Sequence, residues 1–95
     1  MHHSIFNIVK EHLFLLQNIE HAYLFGSVLD VNKKPNDIDI LIIYSNYTDK
    51  IRKQLQEFSE ALESDIGLPV DLTILSIEEE KEVQFLKRIE FLCLR

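Results

Sequence analysis

The chain has 95 residues, 46% of them hydrophobic, a net charge of −6 and a pI near 5.1. That size permits one domain, 1–95, with a modest core; the composition excludes a disordered chain, and no apolar run approaches the roughly eighteen residues of a membrane span. The acidic balance argues against duplex-DNA binding, which needs a basic face, and a lone cysteine, Cys93, without a signal-peptide pattern ahead of it, points to a reducing, cytoplasmic setting.

Ser4–Asn18 reads as a helix capped by Ser4, with Ile5, Ile8, Val9, His12, Leu13 and Leu16 at helical spacing. Glu20–Phe25 alternates as a strand. A short helical turn follows Gly26-Ser27, and Asn32–Asn36 is a polar loop stopped by Pro35. Asp37–Tyr44 is the central strand, and its unbroken Ile and Leu predict burial on both faces beyond the carboxylates. A second helix runs from Asp49 to about Asp65, its stripe of Ile51, Leu55, Phe58 and Leu62 spaced 4-3-4, and Gly67 and Pro69 end it. Val70–Leu75 is a strand. Ser76 with Glu79 forms a capping box that opens a third helix through about Arg88. Ile89–Leu94 is a short closing strand or a continuation of that helix. The alternation gives an α/β two-layer sandwich, a small mixed sheet with helices packed on it.

Two short segments carry the chemistry. An apolar run, Leu24-Phe25, ends in Gly26-Ser27. After nine intervening residues Asp37-Ile38-Asp39 opens the most apolar strand. Residues i and i+2 of a strand share a face, so Asp37 and Asp39 project together while Ile38 and Ile40 point the other way. Two like charges side by side repel, and burying them unpaired is expensive. A hard divalent cation such as Mg²⁺ neutralises such a pair, often together with substrate phosphates. Glycine lets the backbone turn tightly and approach a ligand, serine adds a hydroxyl, and backbone N–H groups at a helix start attract phosphate. The combination is a phosphate cradle facing a metal-holding carboxylate pair.

Gly26-Ser27 followed by Asp37-Ile38-Asp39 resembles the Gly-Ser…Asp-x-Asp signature of the DNA polymerase β-like nucleotidyltransferase superfamily. The compact length is similar to its minimal nucleotidyltransferase branch, which includes antitoxins encoded beside HEPN-domain toxins. The resemblance covers residues 4–95 and implies the polymerase β-like nucleotidyltransferase fold. It implies a third carboxylate on a following strand, which Val70-Asp71-Leu72-Thr73-Ile74 supplies in Asp71. It further implies that Asp37, Asp39 and Asp71 hold two Mg²⁺ ions, and that the phosphates of an NTP, ATP first, rest against Gly26 and Ser27. A nucleoside monophosphate would pass to a hydroxyl acceptor, typically a tyrosine on a HEPN toxin, and silence it. Two departures stand out. Relatives carry an Arg and a second Gly shortly after Gly-Ser, where this chain has Val28-Leu29-Asp30-Val31, and Asn36 replaces the usual Ser before the carboxylates.

A second class of reading uses the same residues without turnover: an antitoxin acting by contact alone, or a nucleotide sensor. Replacing Asp37 and Asp39 by Asn separates it from catalysis. The four histidines show no zinc spacing. Cys93, in an apolar context, reads as core rather than nucleophile. Lys33, Lys34, Lys50, Arg52 and Lys53 are a solvated face with some reach toward a triphosphate, and Glu78–Glu80 suit a helix N-terminus. The exposed sheet edge is open to a partner or to a second copy, giving a homo-oligomer.

Overall fold

The computed structural model describes residues 2–95, with side chains from Ile5 onward. Helix α1 spans His2–Glu11. It starts upstream of Ser4, which therefore stands inside the first turn instead of capping it; the Ser4 side chain lies outside the described residues. The helix expected to reach Asn18 tightens at His12 into a 3-10 turn, Leu13–Leu15. His12 supplies the reason. Its Nδ1 lies 2.7 Å from the Ile8 carbonyl, and its own N–H reaches that oxygen only at 3.3 Å while donating to Val9 at 3.1 Å. The shorter ring is the 3-10 pattern. Its Nε2 meets Asp65 Oδ2 at 2.8 Å and ties this end of α1 to the end of the second helix.

Four strands, β1 (His21–Phe25), β2 (Ile38–Tyr44), β3 (Val70–Ser76) and β4 (Phe91–Cys93), form one sheet in the order β3-β2-β1-β4. β1 runs antiparallel to β2 and β4, whereas β2 and β3 are parallel. A parallel pair needs a long crossover, and α2 (Asp49–Ile66) provides it. Thr48 caps α2 by accepting from the Ile51 N–H at 3.2 Å, and Gly67 closes it in the left-handed region at φ 81°. The stripe of Ile51, Leu55, Phe58 and Leu62 is buried as its spacing predicts. It packs with Val9, Leu13 and Leu16 onto the sheet face made by Ala22, Leu24, Ile38, Ile40 and Ile42. Each of these side chains larger than Ala22 contributes about 1.5–3 kcal/mol on burial.

The opposite sheet face carries Leu41 and Ile43, both buried as the apolar run predicts. Helix α3 (Ile77–Val83) returns beside it, opened by the expected capping box: Ser76 Oγ accepts from Glu79 N–H at 3.0 Å and Glu79 Oε1 from Ser76 N–H at 2.8 Å. This helix stops short of Arg88. Gln84 takes a left-handed conformation (φ 50°), and a 3-10 turn, Phe85–Arg88, follows. The Glu80 carboxylate accepts from the N–H groups of Phe85 (3.0 Å) and Leu86 (3.5 Å), replacing helical partners, and Phe85 swings onto Phe25 with ring centroids 5.3 Å apart. Of the two readings for the C-terminal segment, the strand holds. Arg95 secures it by donating to the carbonyls of Leu13 and Leu16. Cys93 is exposed, not core: it pairs with Tyr23 on an edge strand and projects away from the face where Leu94 is buried. Among the described residues no helix is long and apolar enough to cross a membrane.

Candidate carboxylate and phosphate site

The start of β2 is fixed by two hydrogen bonds at the neighbouring strand. Ile38 N–H donates to the Pro69 carbonyl at 2.9 Å, and Val70 N–H donates to the Glu63 carboxylate at 2.8 Å. This anchors the register in which Asp39 lies between Phe25 on β1 and Asp71 on β3. Register partners share a face, so Phe25, Asp39 and Asp71 stand in a row on the face away from α1 and α2. Asp37 precedes β2 by one residue and joins them. One carboxylate oxygen from each of Asp37, Asp39 and Asp71 lies within 4.8 Å of the others. Asp37 and Asp39 are half-buried and Asp71 is exposed.

Burial pushes the Asp39 carboxyl above its ordinary value, and the charges of Asp37 and then Asp71 push it further. Among the described residues no Lys or Arg ion-pairs with any of the three. Three oxygen donors with uncompensated negative charge match a hard divalent cation and do not match the softer N/S sites of zinc. The chain's residues therefore fit a metal of that class.

Gly26 sits at the end of β1 with φ 84°, and a Cβ built there would overlap the Asp39 carboxylate. Both the left-handed backbone and the close approach require glycine. A 3-10 turn, Gly26–Leu29, follows, with Ser27 half-buried and Val28 packed into the core. Gly26, Ser27, Asp37, Asp39 and Asp71 are thus brought to one end of the sheet. Of the cationic residues, Lys33 and Lys34 lie on the loop between Ser27 and Asp37, at this same end, whereas those of the second helix do not. Lys50, Arg52 and Lys53 open α2 at the opposite end of β2, a strand length of about 20 Å away. Arg52 lies 3.8 Å from Asp49, and Lys33 lies 3.9 Å from Asp30. Sequence reasoning passed over Phe85, which the break at Gln84 sets against Phe25 beside Asp39, and Arg88, whose guanidinium lies 5.7 Å from the Phe85 ring. The one available signal was an aromatic and two basic residues at the end of the third helical segment.

The chain matches the family described as "Polymerase beta, Nucleotidyltransferase" over residues 5–90. Several solved structures share its fold. A chain in the complex of tri-AMPylated HEPN toxin with MNT antitoxin from Shewanella oneidensis is 22% identical with a TM-score of 0.65, covering 100% of this chain and 72% of that one. A toxin–antitoxin structure with AMP-PNP is 22% identical at 0.65, covering 95% and 72%. A protein from Sulfolobus solfataricus assigned to the nucleotidyltransferases is 20% identical at 0.60, covering 97% and 80%. No curated protein matches the sequence.

Proposed function

We propose a function from the premise that the chain belongs to the polymerase β nucleotidyltransferase family, which it matches over residues 5–90: it moves the nucleoside monophosphate of an NTP, ATP first, onto a hydroxyl of a partner protein. The observation that carries this reading is the row of Asp37, Asp39 and Asp71 oxygens within 4.8 Å beside a glycine that touches Asp39. The three carboxylates would hold Mg²⁺, which when bound supplies charge stabilisation to the attacking and leaving oxygens of an in-line displacement. Gly26 gives the polyphosphate room against the backbone, and Ser27 offers a hydroxyl and N–H groups to it. Asp71, the exposed member, faces the side from which an acceptor arrives and accepts the hydroxyl proton, directly or through water. The acceptor oxygen bonds to the α-phosphorus, the α–β anhydride bond breaks, and pyrophosphate leaves.

The partner best supported is a HEPN-type toxin. Support comes from the shared fold with chains of HEPN–MNT complexes, one of which contains tri-AMPylated toxin. The protein then acts as an antitoxin, with a toxin tyrosine as the acceptor and the cytoplasm as its setting. The test is transfer of label from α-phosphate-labelled NTPs with Mg²⁺ onto the co-purified partner, with Asp39→Asn as control. Label on the partner with wild type and not with Asp39→Asn is the expected result. A complex that forms, with its acceptor shown to be unmodified beforehand, yet takes no label from any of the four NTPs would overturn catalysis and leave neutralisation by contact.

A further inference from the structure

We propose that Arg88 is the residue that meets the terminal phosphates of the nucleotide, an assignment that rests on the nucleotidyl-transfer reading. The segment after Gly26-Ser27, Val28-Leu29-Asp30-Val31, contains no cation. A triphosphate carries several negative charges, and the carboxylate row adds its own. The loop that follows brings Lys33, 3.9 Å from Asp30, and Lys34, both compact ammonium groups; a guanidinium from elsewhere in the fold adds the forked complement to phosphate oxygens that they do not offer.

The layout of the sheet end gives its place. Reading across the strands, Asp71 on β3 is followed by Asp39 on β2 and by Phe25 and Gly26 on β1. Beyond Gly26 lies a groove of about 530 Å³, with Phe25, Gly26, Leu29, Asp30 and Val31 along one side and Ile89 and Glu90 along the other. An α-phosphorus near Asp39 and Asp71 sends the β- and γ-phosphates past Gly26-Ser27 toward this groove. Arg88 immediately precedes the wall residue Ile89. Its guanidinium lies 5.7 Å from the Phe85 ring, Phe85 meets Phe25 edge-on at 5.3 Å, and Phe25 is the register partner of Asp39. Phe85 thus holds the guanidinium and is itself braced edge-on by Phe25 from the strand beside Asp39, and such a contact reduces the freedom the guanidinium loses on binding.

Among the described residues no carboxylate ion-pairs with Arg88. The groove's own acids sharpen the need for it. Asp30 is satisfied, accepting from Asn32 N–H at 2.9 Å and lying 3.9 Å from Lys33 Nζ. Glu90 is exposed and leaves negative charge on the wall. The planar guanidinium forks onto phosphate oxygens in a way an ammonium does not.

Calorimetric binding of a non-hydrolysable ATP analogue and of AMP, both with Mg²⁺, tests the assignment on the whole chain. Arg88→Gln is expected to weaken the triphosphate at least about tenfold while leaving AMP within about twofold; Arg88→Lys restores part of the loss, and Lys87→Gln behaves as wild type. An unchanged unfolding transition in Arg88→Gln excludes a folding defect, as an exposed side chain predicts. Triphosphate binding within twofold of wild type in Arg88→Gln overturns the role of Arg88 alone, as does equal loss of AMP and triphosphate. Wild-type protein that binds neither ligand overturns the nucleotidyl-transfer reading itself.

Discussion

The Asp39 carboxyl lies between two other carboxylates, and burial together with Asp37 and Asp71 raises its pKa. An acid whose folded pKa exceeds its unfolded value holds a proton in the native state that the unfolded chain has already released. Stability therefore falls as pH rises from the unfolded value of 3.8 through the folded pKa, and the full penalty persists at neutral pH. Asp39→Asn removes both charge and slope. In metal-free buffer at pH 7 it is expected to raise Tm by roughly 2–4 °C, a modest figure because the group is only half-buried, while lowering transfer by at least about 100-fold. Thermal unfolding at pH 4 to 8 checks the first part: a mutant no more stable than wild type at pH 7 contradicts it. Gly26→Ala should differ in sign on stability, losing it along with activity, since the new methyl meets the Asp39 carboxylate and φ 84° strains any other residue. About 1–3 kcal/mol is expected from urea unfolding.

At the scale of elements, α2 holds the two layers together. Phe58 and Leu62 are fully buried against the sheet, so Phe58→Ala should cost about 3–5 kcal/mol in urea unfolding. Gln84 is the opposite case, an exposed non-glycine residue at φ 50° where α3 stops. Gln84→Gly relieves the left-handed strain and is expected to be neutral or stabilising by up to about 1 kcal/mol; clear destabilisation would show that the glutamine contributes more than its backbone. These two cases mark what the sequence made legible. The 4-3-4 stripe of α2 and the alternation of β1 and β3 are local patterns, and their elements appear within a residue or two of expectation. The ends of α1 and α3 depend instead on single side chains, His12 on the Ile8 carbonyl and Glu80 on the Phe85 N–H, which take backbone partners a helix would otherwise use. Periodicity contains no sign of that competition. Cys93 failed for a related reason, because apolar neighbours do not reveal which face of an edge strand a residue occupies.

Across the whole molecule the site was partly legible. Gly26, Asp37 and Asp39 follow from spacing within a short segment, and Asp71 from alternation joined to family resemblance. The register that sets Asp71 directly beside Asp39 is a product of the crossover through α2, and the contact of Phe85 with Phe25 a product of the turn after α3. If the carboxylates bind Mg²⁺ as proposed, the ion at ten times its dissociation constant should stabilise the wild-type chain by about 1.4 kcal/mol, visible as a Tm increase of several degrees that EDTA reverses. Asp37→Asn combined with Asp39→Asn should show no such increase; an equal shift would place the ion elsewhere.

The parallel pairing of β2 and β3 has a bearing on how the protein comes into being. Asp39 and Asp71 belong to strands separated in the chain by the whole of α2, so the third carboxylate reaches the other two only when the crossover has closed. During synthesis a nascent chain that has exposed only its first two strands holds a carboxylate pair and no triad. If the triad binds Mg²⁺ as proposed, its full ligand set is withheld from unfinished chains, and the binding, since binding free energy is also folding free energy, contributes most at the step that docks β3. On that reading the complete site is a late product of folding, and an incomplete molecule lacks the carboxylate assigned to receive the acceptor's proton.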